Sequence, residues 1–325
     1  MSGSGLFMTS FGYSLMSEEH DPRTLVRNAV AAEEAGFDFV TLSDHFHPWL
    51  FSQGQSPFAW SVLGAIAERT ERVDIVTAVT CPTIRYHPAI IAQAAATVAL
   101  MSEGRFGLGV GAGELLNEHV VGDAWPGPDI RHDMLSEAIE VMRLLWRGGR
   151  QRHHGDYYDV QDAQLFTLPD APPEVYVAGG GPRALRVAAE QGDGMFATEP
   201  ERSLVDTYRS HGGEGKRFGQ LAVCFDADEE KATRTAHERW RFAMGWPVQA
   251  ELPNPSNFEV ASRTVRPEDV TEQVAVGPDP ERHATSFRKW IDAGFDHICV
   301  VQVGPEQDPF FRFWRNELHP RLSSR

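Results

Sequence analysis

Eight short apolar runs alternate with segments of helical period along this chain, and that alternation constrains the fold more than any other feature. The runs read LFMTSFGY (6–13), FDFVTLS (37–43), VDIVTAVT (73–80), RFGLGVG (105–111), EVYVAGG (174–180), GMFATE (194–199), QLAVCFD (220–226) and HICVVQV (297–303). They are rich in β-branched residues and apolar almost without interruption, as expected of parallel strands covered on both faces. Between them lie amphipathic stretches such as DPRTLVRNAVAAEEAG, PAIIAQAAATVALM and ERHATSFRKWIDAG. Pro22, Pro88 and Pro182 stand where a first helical turn tolerates proline. Gly36, Gly192 and Gly294 stand just past helix ends, where left-handed caps are expected.

One junction recurs. EEAGFDFVTLSDH, EQGDGMFATE and DAGFDHICVVQV each run from helix through glycine and an acidic residue into an apolar strand. A repeated βα unit with eight strands predicts an α/β fold, a (β/α)8 TIM barrel, with a doubly wound open sheet as the alternative. The 325 residues suit a single barrel domain spanning 1–325 with two insertions. One, 153–175, reads as a hairpin; the other, 246–270, is rich in Pro and Asn and longer than an ordinary connection.

A net charge of −16, from 46 acidic and 30 basic residues, argues against nucleic acid or an anionic membrane as partner. No apolar segment reaches membrane-spanning length, and MSGSGLFMTS lacks the basic start of a secretory signal. Cys81, Cys224 and Cys299 form no CxxC pair and sit in apolar contexts, as buried reduced thiols of a cytoplasmic protein do.

In a barrel of this kind chemistry collects at the C-terminal strand ends. That rule selects Tyr13 and Glu18; Ser43, Asp44 and His45; Thr80, Cys81 and Thr83; Gly113, Glu114 and Asn117; Gly179, Gly180 and Gly181; and Thr198 and Glu199. SDHFHPW (43–49) admits three readings. Its His-x-His could hold a metal, but Pro48 turns the chain and no other strand end offers the remaining ligands, so no metal is expected. His45 could be a general base, with Trp49 walling the same cavity. Or Asp44 and His45 only cap a strand. AGGGPRAL (178–185) reads equally as a phosphate cradle at a helix N-terminus or as a tight turn. Glu114 and Asn117, three apart, share a helical face, where Glu114 is either a proton donor or a cap.

Taken in order, SDHFHPW, CPTIRYHPAIIAQAAAT, RFGLGVGAGELLNE, WPGPDIRHDMLSEAIEVMRLLW, GDYYDV and YVAGGGPRAL resemble the luciferase-like barrel flavoenzymes. The resemblance is closer to the branch using the deazaflavin coenzyme F420, which includes glucose-6-phosphate and secondary alcohol dehydrogenases. It implies a homodimer acting on a small-molecule alcohol or sugar, with F420, or FMN as the alternative, in the barrel mouth. It places the coenzyme's phosphate tail on Gly179, Gly180 and Gly181, and Asp44 at the ring. A bulge with a non-proline cis peptide at Ala78–Val79 would back the ring, with Cys81 and Asn117 nearby. His45 becomes the base that takes a hydroxyl proton, Glu18 an acid beside it, Trp49 the substrate wall, and Glu114 the proton donor at the ring nitrogen. His47 becomes a bystander.

Departures from that branch are equally informative. Where the sugar-phosphate enzymes carry basic residues, this chain has Glu201, Gln249 and Glu272 or Gln273, with Thr198 also on the substrate side. Arg202, Arg263 and Arg266 are the nearest substitutes. A dianion facing carboxylates is repelled, so the expected substrate is an unphosphorylated alcohol or sugar.

Overall fold

The computed structural model describes residues 9–245 and 248–323. Its strands are β1 (Ser10–Leu15), β2 (Phe39–Leu42), β3 (Asp74–Thr77), β4 (Phe106–Val110), β5 (Gln151–His154), β6 (Asp159–Ala163), β7 (Glu174–Ala178), β8 (Gly194–Ala197), β9 (Lys216–Cys224), β10 (Ala275–Val276) and β11 (His297–Gln302). The order β9-β11-β1-β2-β3-β4-β7-β8 is parallel throughout, and β8 pairs back onto β9. That last pairing closes an eight-stranded barrel and excludes the open doubly wound sheet. β10 adds to the far end of β9, beyond the point where β8 stops.

All eight expected runs become barrel strands, with shifted bounds. The first begins at Ser10 and continues to Leu15, and residues 6–8 lie outside the described residues. The seventh begins earlier than expected, at Lys216. The 153–175 insertion is a hairpin whose strands, β5 and β6, are antiparallel and start before it, at Gln151. The 246–270 insertion is built of a 3-10 turn at Val248–Glu251 and short helices at Pro255–Ala261 and Pro267–Thr271; Trp246 and Pro247 lie outside the described residues.

Continuous apolarity in the strands has a physical cause. One face packs on the surrounding helices, where Leu25, Leu63, Ile91, Ile139, Leu185 and Phe287 are buried against it. The other fills the barrel with Phe39, Val76, Tyr176, Phe196, Phe218 and Cys299. Two of these rings need glycine opposite. A Cβ on Gly12 would lie 2.2 Å from the Phe39 ring, and one on Gly107 would lie 2.6 Å from Tyr176.

Pro22, Pro88 and Pro182 begin their helices as expected, and Gly36 and Gly294 cap theirs at φ 89° and 100°. Gly192 does not. It is extended, at φ −87° and ψ 165°. A Cβ there would meet the Ala188 carbonyl oxygen at 2.7 Å, so close backbone approach rather than handedness requires the glycine.

Candidate active site

The buried polar residues at the C-terminal mouth form two connected groups. In the first, Glu18 follows β1 and His45 follows β2. His45 Nδ1 lies 3.3 Å from Glu18 Oε1, with the Glu18 side chain 1% and the His45 side chain 9% exposed. The Ser43 hydroxyl donates to Glu18 Oε2 at 2.7 Å, and Ser17 Oγ lies 2.9 Å from Ser43 Oγ. The carboxylate is thus held by the ends of two neighbouring strands. Nδ1 also lies 3.3 Å from the His47 carbonyl oxygen, which can only accept, so a neutral ring carries its proton on Nδ1 and leaves Nε2 as the acceptor. Trp49 packs on His45 with ring centroids 4.8 Å apart.

Asp44 anchors the second group. Its Oδ2 accepts from the Thr80 hydroxyl at 2.8 Å, and its Oδ1 accepts from Arg85 Nη2 and the Tyr86 hydroxyl, both at 3.1 Å. Arg85 also reaches the Asp44 carbonyl at 2.8 Å, and its own amide donates to Glu118 Oε2 at 2.8 Å. Burial pushes the Glu118 carboxyl up to about 7, against the opposing pull of Arg85. So Asp44 and His45 are not simple strand caps; each meets ionisable side chains from other elements.

The short helix Leu115–Glu118 carries Glu114 at its N-cap, where the side chain makes no capping hydrogen bond. Asn117 Nδ2 donates to Glu114 Oε2 at 3.3 Å, which puts the two on one face as their spacing predicts. Asn117 Oδ1 accepts the amides of Phe46 and His47 and so pins the turn that follows His45. His47 faces elsewhere, its Nδ1 2.9 Å from the Leu116 carbonyl oxygen, and the two histidines share no ligand position. Among the described residues no three His, Cys, Asp or Glu side chains gather as a metal site.

At the end of β3 the Ala78–Val79 peptide is cis, and the strand rejoins β4 beyond it through Thr80 and Val110. Cys81 is buried beside this bulge, and burial raises its thiol well above the ordinary range. After β7 the three glycines differ. Gly179 packs tightly, since a Cβ would meet Ala184 Cβ at 2.2 Å, while Gly180 and Gly181 face open space before the helix Pro182–Gln191. Bare backbone at a helix N-terminus, with room in front of it, fits a phosphate-bearing tail.

The positions expected on the substrate side are more scattered. Thr198 is exposed just past β8. Glu201 is exposed and accepts from Ser203. Gln249 is buried and its amide donates to the Phe242 carbonyl oxygen. Phe242 lies parallel to Trp49, centroids 5.0 Å apart, and Phe258 meets Trp49 edge-on at 5.1 Å. Neither phenylalanine, nor Arg85, Tyr86 or Glu118, follows from a strand-end rule. Arg85 does sit in the CPTIRYHP motif just past β3, the one local signal available. Glu272 and Gln273 are exposed; Arg202 is spent on the Asp292 carbonyl and Arg266 on Asp269. Arg263 is exposed.

A closed parallel barrel with a histidine–carboxylate pair, an open glycine loop and a cis bulge around one mouth defines a TIM-barrel enzyme site. The family model for luciferase-like monooxygenases matches residues 1–297, and the chain belongs to that family. An F420-dependent glucose-6-phosphate dehydrogenase of Tsukamurella paurometabola is 38% identical, covering 96% of this chain and 97% of its own. A protein of the same name from Microbacterium testaceum is 36% identical, covering 97% and 98%. A solved F420-dependent secondary alcohol dehydrogenase, in complex with an F420-acetone adduct, superimposes with TM-score 0.90 at 30% identity, covering 97% of this chain and 99% of that one. The F420-dependent tetrahydromethanopterin reductase from Methanopyrus kandleri, at 20% identity and TM-score 0.79 over 97% and 99%, shares the fold.

Proposed function

We propose that the protein is an F420-dependent dehydrogenase that oxidises a hydroxyl-bearing carbon of an unphosphorylated alcohol or sugar. The observation that carries this reading is the buried His45–Glu18 pair, whose geometry leaves His45 Nε2 free to accept a hydroxyl proton. When bound, the deazaflavin supplies the hydride acceptor. Gly179, Gly180 and Gly181 would hold its phosphate tail, and Asp44 and the Ala78–Val79 bulge, with Cys81 beside it, would hold the ring. Glu114, held by Asn117, would donate a proton on the ring-nitrogen side.

Glu18 keeps the His45 ring turned and balances the charge that His45 gains with the substrate proton. Trp49 and the aromatic side chains around it exclude water from the reacting carbon. Thr198 and Glu201 border the substrate, and Gln249 acts through the Phe242 backbone. In this reading the enzyme is a cytoplasmic homodimer. The names of the relatives at 36–38% identity favour a second reading, glucose 6-phosphate as substrate. An FMN-dependent monooxygenase or reductase on the same fold is the third, and the family description, luciferase-like monooxygenase, is in line with it.

Titration with F420 and separately with FMN, followed by intrinsic tryptophan fluorescence, separates the coenzymes. Tight F420 binding without an FMN response is expected, and a preference for FMN would overturn the reading. His45→Ala should then lower alcohol-dependent F420 reduction by about 10²–10⁴-fold, the range for a lost general base, with coenzyme affinity kept. Equal loss of both would remove His45 from the proton-transfer role.

A further inference from the structure

Among the described residues, Arg85 is the one cation in a buried cluster of anions, and the proposed reaction gives it no task. The Asp44 and Glu118 side chains are both fully buried, and the Arg85 side chain is only 7% exposed. Asp44 receives a direct bond from the guanidinium; Glu118 Oε1 stops 3.7 Å from Arg85 Nε. Those two atoms face each other without a hydrogen-bond partner among the described residues. The remaining titratable neighbours are Tyr86, bonded to Asp44; Glu114 on the same short helix; Cys81; and Tyr158, whose hydroxyl donates to the Thr83 carbonyl. None adds a positive charge.

We propose that Arg85 is a positioning residue that aims the Asp44 carboxylate at the coenzyme ring, and that Glu118 competes with Asp44 for its charge. This rests on the F420 reading above. With Glu118 protonated, Arg85 and Asp44 form a neutral pair. With Glu118 ionised, one cation serves two carboxylates, and the cluster beside the ring carries a net negative charge. Burial raises Glu118 to about 7, so the change falls in the neutral range. Coenzyme affinity therefore falls as pH rises through neutrality, by at most tenfold per unit for one linked proton.

The test is F420 affinity, read by tryptophan fluorescence from pH 6 to pH 9, in the wild type and in Glu118→Gln, Arg85→Lys and Arg85→Gln. Thermal melting checks that each variant is folded. Glu118→Gln should retain the low-pH affinity of the wild type and lose most of the decline. Because the coenzyme's own ionisation is common to all, the ratio of variant to wild type isolates the protein's proton. Arg85→Lys should keep part of the affinity and Arg85→Gln much less. A wild-type decline that Glu118→Gln follows unchanged would overturn the competition. A folded Arg85→Lys no better than Arg85→Gln would overturn positioning by charge. A wild type that binds no F420 would instead defeat the functional reading itself.

Discussion

Glu19, next in sequence to Glu18, is buried with its Oε1 lacking any hydrogen-bond partner among the described residues. Its Oε2 accepts the Gly304 amide at 2.9 Å, and Arg239 lies 3.8 Å from Oε1. Burial raises its carboxyl from 4.5 to about 7, outweighing both the amide bond and the arginine. A raised folded-state value means the native protein binds the proton more tightly than the unfolded chain. The stability this group contributes is complete below about pH 4.5 and is lost as pH rises through 7. Glu19→Gln should therefore stabilise the protein at pH 8 by up to about 3 kcal/mol and do little near pH 4. Melting curves at the two pH values check it; a lower midpoint at pH 8 would mean that the Arg239 pairing outweighs burial. Much at this scale was legible. The strand-end rule reached Asp44, His45 and Glu18 because each lies within three residues of the end of a strand. It could not reach Glu118 or Arg85, whose partners lie 33 and 41 residues away in sequence. Such pairs leave no local pattern.

Among the elements, the barrel strands were legible because burial on two faces leaves so few polar positions. The helix Glu229–Trp240 was not, since only Ala232 and Ala236 are buried along it and its apolar stripe is faint. β10, two residues long, has no pattern of its own. The turn after β7 separates two uses of glycine. Gly179→Ala forces the helix Pro182–Gln191 away from β7, and such overpacking costs about 1–3 kcal/mol. Gly180→Ala meets nothing within 4 Å and should leave the melting midpoint unchanged. Its added methyl should nonetheless weaken F420 binding if the coenzyme's phosphate approaches that backbone. Parallel melting and binding measurements on the two variants distinguish packing from ligand approach. Unchanged F420 affinity in Gly180→Ala would move the phosphate off this loop.

On the scale of the whole molecule, charge opposes an anionic substrate. The chain carries −16, and the positions expected to hold a phosphate are acidic or neutral, with Arg202 and Arg266 already engaged. An uncharged secondary alcohol should therefore be turned over with higher kcat/KM than glucose 6-phosphate. Any glucose 6-phosphate activity should rise with added salt, as repulsion is screened over a Debye length of about 10 Å at 0.1 M. A sugar phosphate preferred at low ionic strength would mean that the segment following Gln249 supplies cations after all, a result favouring the second reading.

The segment covering Trp49 is fastened from outside the barrel. Ser52 donates to the Glu238 carbonyl, Gln53 links the Trp49 amide to the Arg239 carbonyl, and Trp125 and Arg131 both hold Glu251. Every side chain assigned to proton handling, by contrast, lies between Ser17 and Glu118. The residues proposed for acid–base work and the fastenings of this cover thus come from separate stretches of one chain. Substitutions in this cover should therefore change which substrate is accepted while leaving the His45–Glu18 contact in place.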